Sequence, residues 1–339
     1  MNTNDTAIEL GTVHQGSYTS RARDHYGADA STPITLFSDQ NVWKVRSALL
    51  DYRGVGANQF GAATFGSTPF RATQHDSDWR YDLHQEFELP HEYAIANERG
   101  IRVATEVSGK PVPALIAPVT DTIGRHDSQW QSLGSNQRAW AIQRHEPQFK
   151  YLVANKHVSG IWVEAMRYLE EAAALAELCK EYEVRLLVVA FRLESNGDFP
   201  DSEHPSTTLL DAQSMLQEIA KNRNVVTGIN CTGATAVMNR VGDAEDIAGV
   251  VYPNTNDYAK GLANDSIRLE ELYKLGALRS ADENAELAEI EARLRTSRPE
   301  FESAWRIARL RDPRCVISAC CGATPEIIKW ASEFHNRKM

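Results

Sequence analysis

CVISACCGATPEIIKWA, residues 315–331, opens on the apolar run Val316-Ile317-Ser318-Ala319 and then presents two adjacent cysteines, Cys320 and Cys321. Gly322 lets the backbone turn. Thr324-Pro325-Glu326 reads as a helix start, with threonine at the N-cap, proline at the first helical position and an acid in the first turn. The stretch is therefore a strand feeding a helix, with two thiols at the joint. A helix N-terminus favours the thiolate, the form that binds metal or attacks an electrophile. Two thiolates are an incomplete metal site, so a third donor is sought along the chain.

The same strand-then-helix unit recurs upstream. Residues 185–191, RLLVVAF, form an almost continuous apolar run, as a parallel strand covered on both faces requires. An amphipathic helix is expected over 206–221, a strand over 224–231 (NVVTGINC), a short helix over 235–241 and a strand over 249–252. Earlier strands are expected over 114–119 and 160–166, with helices over 136–158 and 168–182. Val42, Val45, Leu49 and Leu50 fall at helical spacing and predict a helix over 41–52, stopped by Gly54-Val55-Gly56. A short strand follows over 58–65, and 77–106 reads as mostly helical with a break at Pro90. Residues 265–311 read as charged and helical, divided by Pro299, before the last strand (314–319) and last helix (324–336).

Counting a first strand within 6–13, eight strands alternate with helices. This predicts an α/β protein folded as a (β/α)8 TIM barrel. An open doubly wound sheet is the competing architecture, but the chain has no Gly-x-Gly-x-x-Gly and no phosphate loop ending Gly-Lys-Ser/Thr. Residues 1–339 read as one barrel domain, with 1–32 a divergent N-terminal segment and 256–299 a helical insertion before the last strand. The alternating acids and alanines of 282–295 read as a solvated or oligomer-contacting helix.

A length of 339 residues suits a barrel as one unit, and a hydrophobic fraction of 42% supplies its core. A net charge of −10 argues against nucleic acid or an anionic membrane surface as partner. Residues 1–16 lack the basic start and apolar middle of a signal peptide, and no apolar run approaches the ~20 residues of a membrane span. Five cysteines, an odd number with two adjacent, do not form a disulfide framework. A soluble protein of a reducing compartment, the cytoplasm, is expected. Its partners are small molecules, and a homo-oligomer is left open.

Cys231 closes the strand over 224–231. In a barrel all parallel strands end at one face, so strands six and eight would bring Cys231, Cys320 and Cys321 together. Three thiolates would hold Zn2+ and leave a fourth position open, the arrangement of a catalytic site. The competing reading makes Cys231 a small buried apolar residue and the pair an accident of packing. The residues alone leave both open. Cys179, within a helix, and Cys315, at the start of its strand, read as packing residues.

GINCTGA (228–234), VVYPNT (250–255) and SACCGATPEIIKWA (318–331) resemble the homocysteine S-methyltransferase family. That family includes the betaine- and S-methylmethionine-dependent enzymes and the N-terminal barrel of cobalamin-dependent methionine synthase. Its members usually show Gly-Val-Asn-Cys, then Tyr-Pro-Asn, then Gly-Gly-Cys-Cys-Gly-Thr-Thr-Pro. LLDYRGVGANQFGAATFG (49–66), VTDTIG (119–124) and IWVEAMRYLEEAAALAELC (161–179) extend the resemblance over roughly residues 40–335. It implies a zinc-bearing barrel with Cys231, Cys320 and Cys321 as ligands, a thiol acceptor such as homocysteine, and a sulfonium or ammonium methyl donor of the S-methylmethionine, S-adenosylmethionine or betaine type. Glu164 takes the position of the acid that binds the amino group of homocysteine; on the residues alone it is equally a salt-bridging acid in the barrel mouth. Asn230 and Asn254 are polar wall residues that orient ligands, or turn formers. Tyr252 lines the pocket or packs.

The chain departs from the family pattern at its edges. The opening Asp-Gly-Gly-x-Gly-Thr is absent, with Glu9-Leu10-Gly11-Thr12 a faint echo. Thr-Asn-Thr after the second strand is Ala62-Ala63-Thr64, and the glycines before the cysteines are Ser318-Ala319. A cationic donor calls for an aromatic cage, with Trp43, Phe65, Trp79, Trp130 and Trp162 as candidates. The expected activity is a zinc-dependent S-methyltransferase with a changed acceptor or donor. The alternatives are a zinc barrel with a different reaction, a sulfonium demethylase or sulfur lyase, and a non-catalytic zinc- or thiol-binding partner protein.

Overall fold

The computed structural model describes residues 12, 13, 15–70, 79–120, 126–201, 204, 206–221, 224–243, 246–257, 260, 265, 268, 271, 272 and 279–337. In chain order the elements are β1 (Thr12–Val13), α1 (Gln15–Tyr26), α2 (Val42–Gly54), β2 (Gln59–Phe60), α3 (His91–Ser108), β3 (Val112–Ile116), α4 (Gln137–Val153), β4 (Val158–Met166), α5 (Leu169–Glu181), β5 (Leu186–Phe191), α6 (Leu209–Ile219), β6 (Asn224–Thr232), α7 (Ala234–Met238), β7 (Val250–Pro253), α8 (Ala281–Leu294), α9 (Arg298–Arg311), β8 (Val316–Ile317) and α10 (Pro325–Asn336).

Strands β3 to β8 form one parallel sheet in sequence order, and β1 pairs with β2 in a second, also parallel. Ala62, just past β2, bridges to Ala114 of β3, and its N–H donates to the Pro113 carbonyl at 2.8 Å. An unreversed order of parallel strands is the order of a barrel; a doubly wound sheet reverses at its switch point. Closure differs from the expectation. Among the described residues no ladder joins β8 to β1, so the sheet is a TIM-like part-barrel. The cause is the shortness of the two end strands, and most of the strand expected over 6–13 lies outside the described residues. Side chains span the seam instead: Ser17 Oγ donates to the Cys320 carbonyl (3.1 Å), and the Tyr52 hydroxyl lies 3.1 Å from the Ser17 carbonyl and 2.5 Å from that of Ala323.

Alternation along the strands sorts the core into two layers, because successive side chains point to opposite faces. Ile161, Val163, Leu187, Val189, Phe191, Ile229, Val251 and Ile317 join the large core beneath the helices. Leu115, Trp162, Val188, Ala190, Val250, Tyr252, Val316 and Cys320 pack together on the other, inner face. Each large apolar side chain so buried contributes roughly 1.5–3 kcal/mol. The inner layer is the floor of the site.

Two helix boundaries depart furthest from the sequence reading, and the insertion helices part at 295–297, which leaves Pro299 in the first turn of α9. The helix expected over 77–106 begins only at His91, with Pro90 at its N-cap. Proline denies the helical region to the residue before it, so the helix cannot run back through Leu89. Residues 71–78 lie outside the described residues, and 79–90 carry no α-helix. The helix expected to reach 158 ends at Val153, because Val158 already belongs to β4. In the insertion, Leu272, Leu287, Ile290 and Leu294 make a small core of their own, and Asn256 bridges antiparallel to Arg295. No described helix is long and apolar enough to cross a membrane.

Candidate thiol and metal site

The three cysteines singled out from the sequence converge. Cys231 Sγ lies 2.8 Å from Cys320 Sγ and 3.6 Å from Cys321 Sγ, and the two neighbours are 3.8 Å apart. None of the three is in a disulfide, and Cys320 is buried, Cys231 half-buried and Cys321 exposed. Four sulfurs around zinc at ~2.3 Å in a tetrahedron are ~3.8 Å apart along each edge. Two of the three separations match that edge, and the third is shorter. The donor set is soft sulfur, which suits zinc, and among the described residues no other Cys, His, Asp or Glu joins the group. The residues therefore fit a three-thiolate zinc site with one coordination position to spare.

Local backbone geometry brings the thiols onto the inner face. Regular alternation would turn Asn230 and Cys231 to opposite sides of β6. Instead the β6–β7 register shifts between Asn230 and Thr232, and Cys231 adopts a left-handed φ of 52°. Such a backbone costs a β-branched or bulky residue more than it costs cysteine, but it still costs of order 1 kcal/mol. A second bulge stands on β4, where Ala165 has φ 57° and the register with β5 shifts between Val163 and Met166. Asn230 joins the two bulges. Its Oδ1 accepts from the Ala165 N–H at 2.8 Å, and its Nδ2 lies 3.7 Å from both Cys231 Sγ and Cys320 Sγ. Bulges of this kind re-aim side chains beside active sites.

Crowding and burial set the direction for two of the thiols. The contacts of Cys320 with Cys231 and Cys321, together with its burial, raise its pKa well above the usual thiol range. For Cys231 the contact with Cys320 favours the thiolate, but the contact with Cys321 and burial outweigh it, and its pKa is raised as well. Thr324 stands at the N-cap and Pro325 at the first position, as the sequence suggests, yet the Thr324 side chain makes no capping bond. Cys179 and Cys315 are pushed up by burial, as packing residues should be.

Glu164 is buried on the inner face of β4, two residues after Trp162 and one before the Ala165 bulge. Tyr252 is fully buried on β7, in register with Asn230, its ring 5.7 Å from that of Trp162. Asn254 is half-buried; its N–H donates to the Thr232 carbonyl, and its carbonyl accepts from Thr296 Oγ1, both at 2.9 Å. The aromatic candidates separate. Trp43 is 54% exposed on α2, and Phe65 packs against the inner layer that holds Trp162. Trp79 and Trp130 belong to another cluster, where Trp79 stacks on Trp140, Trp130 stacks on Tyr168, and the Arg144 guanidinium sits 4.0 Å from the Trp140 ring centre. Those faces are spent on one another.

Three residues near the thiols escape the sequence reading. Arg192 follows Val188 and Ala190 by steps of two, and its charge works in favour of the Cys231 thiolate. Counting on from the inner residues of β5 would have found it. Thr255 and Asp257 touch the cysteine-bearing loops, and no local pattern marks them. Elsewhere in the mouth, Glu171 on α5 ties down the loop after β3, accepting from the Val119 N–H and Thr120 Oγ1 at 2.6 Å and meeting His145 at 2.9 Å.

The profile of the homocysteine S-methyltransferase family matches residues 14–334. The chain belongs to the homocysteine S-methyltransferase family. It is therefore an enzyme of thiol methyl transfer, and the reading as a non-catalytic partner protein is set aside. Among solved structures it is similar to the homocysteine methyltransferase MmuM from Escherichia coli in its metallated form, with a TM-score of 0.55, 16% identity, and coverage of 98% of this chain and 97% of that one. The oxidized form of the same protein gives a TM-score of 0.54 at 15% identity, covering 96% of this chain and 98% of that one. At that identity the likeness concerns the fold. No curated protein matches the chain in sequence.

Proposed function

We propose that this methyltransferase moves a methyl group from a sulfonium or ammonium donor to a thiol of the homocysteine type, using Zn2+ held by Cys231, Cys320 and Cys321 in its TIM-like part-barrel. The observation that carries the reading is the convergence of three sulfurs within 4.8 Å of one another, from β6 and from the segment after β8. Zinc bound by three thiolates acts as a Lewis acid that keeps a further thiol deprotonated at neutral pH. The chain supplies the rest. Asn230 orients two of the sulfurs, Glu164 accepts the ammonium of an amino-acid thiol, and the charge of Arg192 favours the Cys231 thiolate. Trp162 and Tyr252 wall the inner side. In the transfer the acceptor sulfur forms a bond to the methyl carbon, and the donor's S–C or N–C bond breaks with its electron pair, discharging the cation. Positioning of the two reactants accounts for much of the rate. Three reduced thiols suit the cytoplasm.

The test is elemental analysis of the purified chain, followed by methyl transfer to homocysteine from S-methylmethionine, S-adenosylmethionine and betaine in turn. About one zinc per chain and a methylated thiol with at least one donor are expected. A zinc-free protein that methylates homocysteine would overturn the metal assignment, and a zinc-loaded protein inactive on every donor–thiol pair would overturn the substrates.

A further inference from the structure

Cys231 on one side and Cys320 with Cys321 on the other reach the site from separate loops, and a single short segment between them touches both. We propose that residues 253–257 are a brace that sets the spacing of the three thiols, with Thr255 and Asp257 as positioning residues for the metal. The inference rests on the metal reading above.

Toward the cysteine pair, the Pro253 carbonyl accepts from the Cys320 N–H at 2.9 Å, and Thr255 Oγ1 donates to the Cys321 carbonyl at 2.9 Å. Gly322 carries a left-handed φ of 76°, and a Cβ there would stand 2.6 Å from Thr255 Oγ1. Only glycine lets the loop lie this close to the threonine. Toward Cys231, the Asn254 N–H donates to the Thr232 carbonyl at 2.9 Å, and Asp257 Oδ2 accepts from the Thr235 N–H at 2.8 Å. Gly233 is again a close approach, since a Cβ would meet Asp257 Oδ1 at 2.1 Å. Contacts from Pro253 and Thr255 thus grip one loop, and those from Asn254 and Asp257 grip the other.

The brace is itself held from behind. The Thr296 N–H donates to the Thr255 carbonyl at 2.7 Å, Thr296 Oγ1 donates to the Asn254 carbonyl at 2.9 Å, and the Asp257 N–H donates to the Leu294 carbonyl at 2.8 Å. Asp257 and Thr296 are almost fully buried. A buried carboxylate that accepts from a backbone N–H is a costly group whose partner fixes it. Because 254–257 and 294–296 are the two roots of the charged insertion, the insertion is a structural member of the thiol site. The solvated face of α8 is only its outer side.

Supporting residues of this kind typically change metal affinity about 10- to 100-fold. The experiment takes the full-length protein with Thr255→Val, Thr255→Ser and Asp257→Asn, loads each with zinc, and follows metal release to a chromophoric chelator. Thr255→Val is expected to release zinc about 10-fold faster and Asp257→Asn at least as fast. Thr255→Ser, which keeps the hydroxyl, should behave as wild type. The melting temperatures of the metal-free variants should stay near wild type, which separates spacing from general stability. Release rates unchanged in both Thr255→Val and Asp257→Asn, from a wild type that holds its zinc, would overturn the brace alone. Should Asp257→Asn fail to fold, the Thr255 pair decides. A wild type that binds no zinc would remove the metal reading. The brace would then be judged by diamide oxidation of the metal-free protein, in which the two variants should slow formation of the Cys231–Cys320 disulfide; an unchanged rate would overturn it.

Discussion

Cys315 and Cys320 stand five residues apart, one on each side of β8, and both are buried. Cys315 lies in the outer core beneath the helices, with Cys179, and its thiol lies 3.7 Å from the Val316 carbonyl. Cys320 lies on the inner face, 2.8 Å from a second thiol and 3.8 Å from a third. Burial and residue type do not separate them. What separates them is the face of the sheet and the end of the strand: the outer cysteine at the strand's start packs among apolar side chains, and the inner one past its end sits among other thiols.

The largest effect should come from breaking the inner set. Cys320→Ser or Cys321→Ser should lower zinc affinity more than about 100-fold, beyond the loss of any supporting residue, and abolish methyl transfer. Zinc content and initial rate check this, and a variant that kept both would return Cys320 to the class of Cys315. Glu164→Ala comes next. A charge-assisted hydrogen bond lost from an ammonium is worth roughly 1.5–3 kcal/mol, so kcat/KM for an amino-bearing thiol should fall about 10- to 100-fold while zinc stays bound. A thiol without the amino group should show no such loss.

Proton linkage sharpens the same contrast. Without metal, the thiols of Cys231, Cys320, Cys179 and Cys315 all have raised pKa values. A folded value above the unfolded ~8.5 means that the folded chain holds protons the unfolded chain has released. Stability is then full below pH ~8.5 and falls as pH rises beyond it, by up to about 1.4 kcal/mol per pH unit per thiol. Zinc takes the site thiols as thiolates, so the loaded protein should fall less steeply over pH 8.5–10, with only the outer pair contributing. Thermal melts with and without chelator measure the difference; identical slopes would mean that the inner thiols are not ligands. The smallest change belongs to the outer set: Cys179→Ala or Cys315→Ala should cost about 1 kcal/mol of stability and leave zinc and rate unaltered.

Most of the fold was legible because it is local. The continuous apolar run of β5, the helical spacing of α2 and the turn at Gly322 each declare their element within a few residues, and strand count and order followed. Helix α3 was overextended because composition alone does not forbid helix before Pro90; the backbone of Leu89 does. Barrel closure was not legible, since it depends on how two very short end strands meet across the molecule.

The sequence by itself determined which thiols would meet. Cys231 ends a strand, Cys320 and Cys321 follow another, and parallel strands separated by helices carry their ends to one face. Tertiary structure alone decided how those thiols are aimed and held. Neither alanine nor cysteine announces a left-handed backbone, yet Ala165 and Cys231 adopt one because Asn230 and the neighbouring strands hold them there. Nothing near Thr255 or Asp257 in the sequence shows that they grip loops 66 and 22 residues away respectively. Alternation and capping are properties of neighbours along the chain; bulges and braces are balances struck between segments that meet only once the chain has folded.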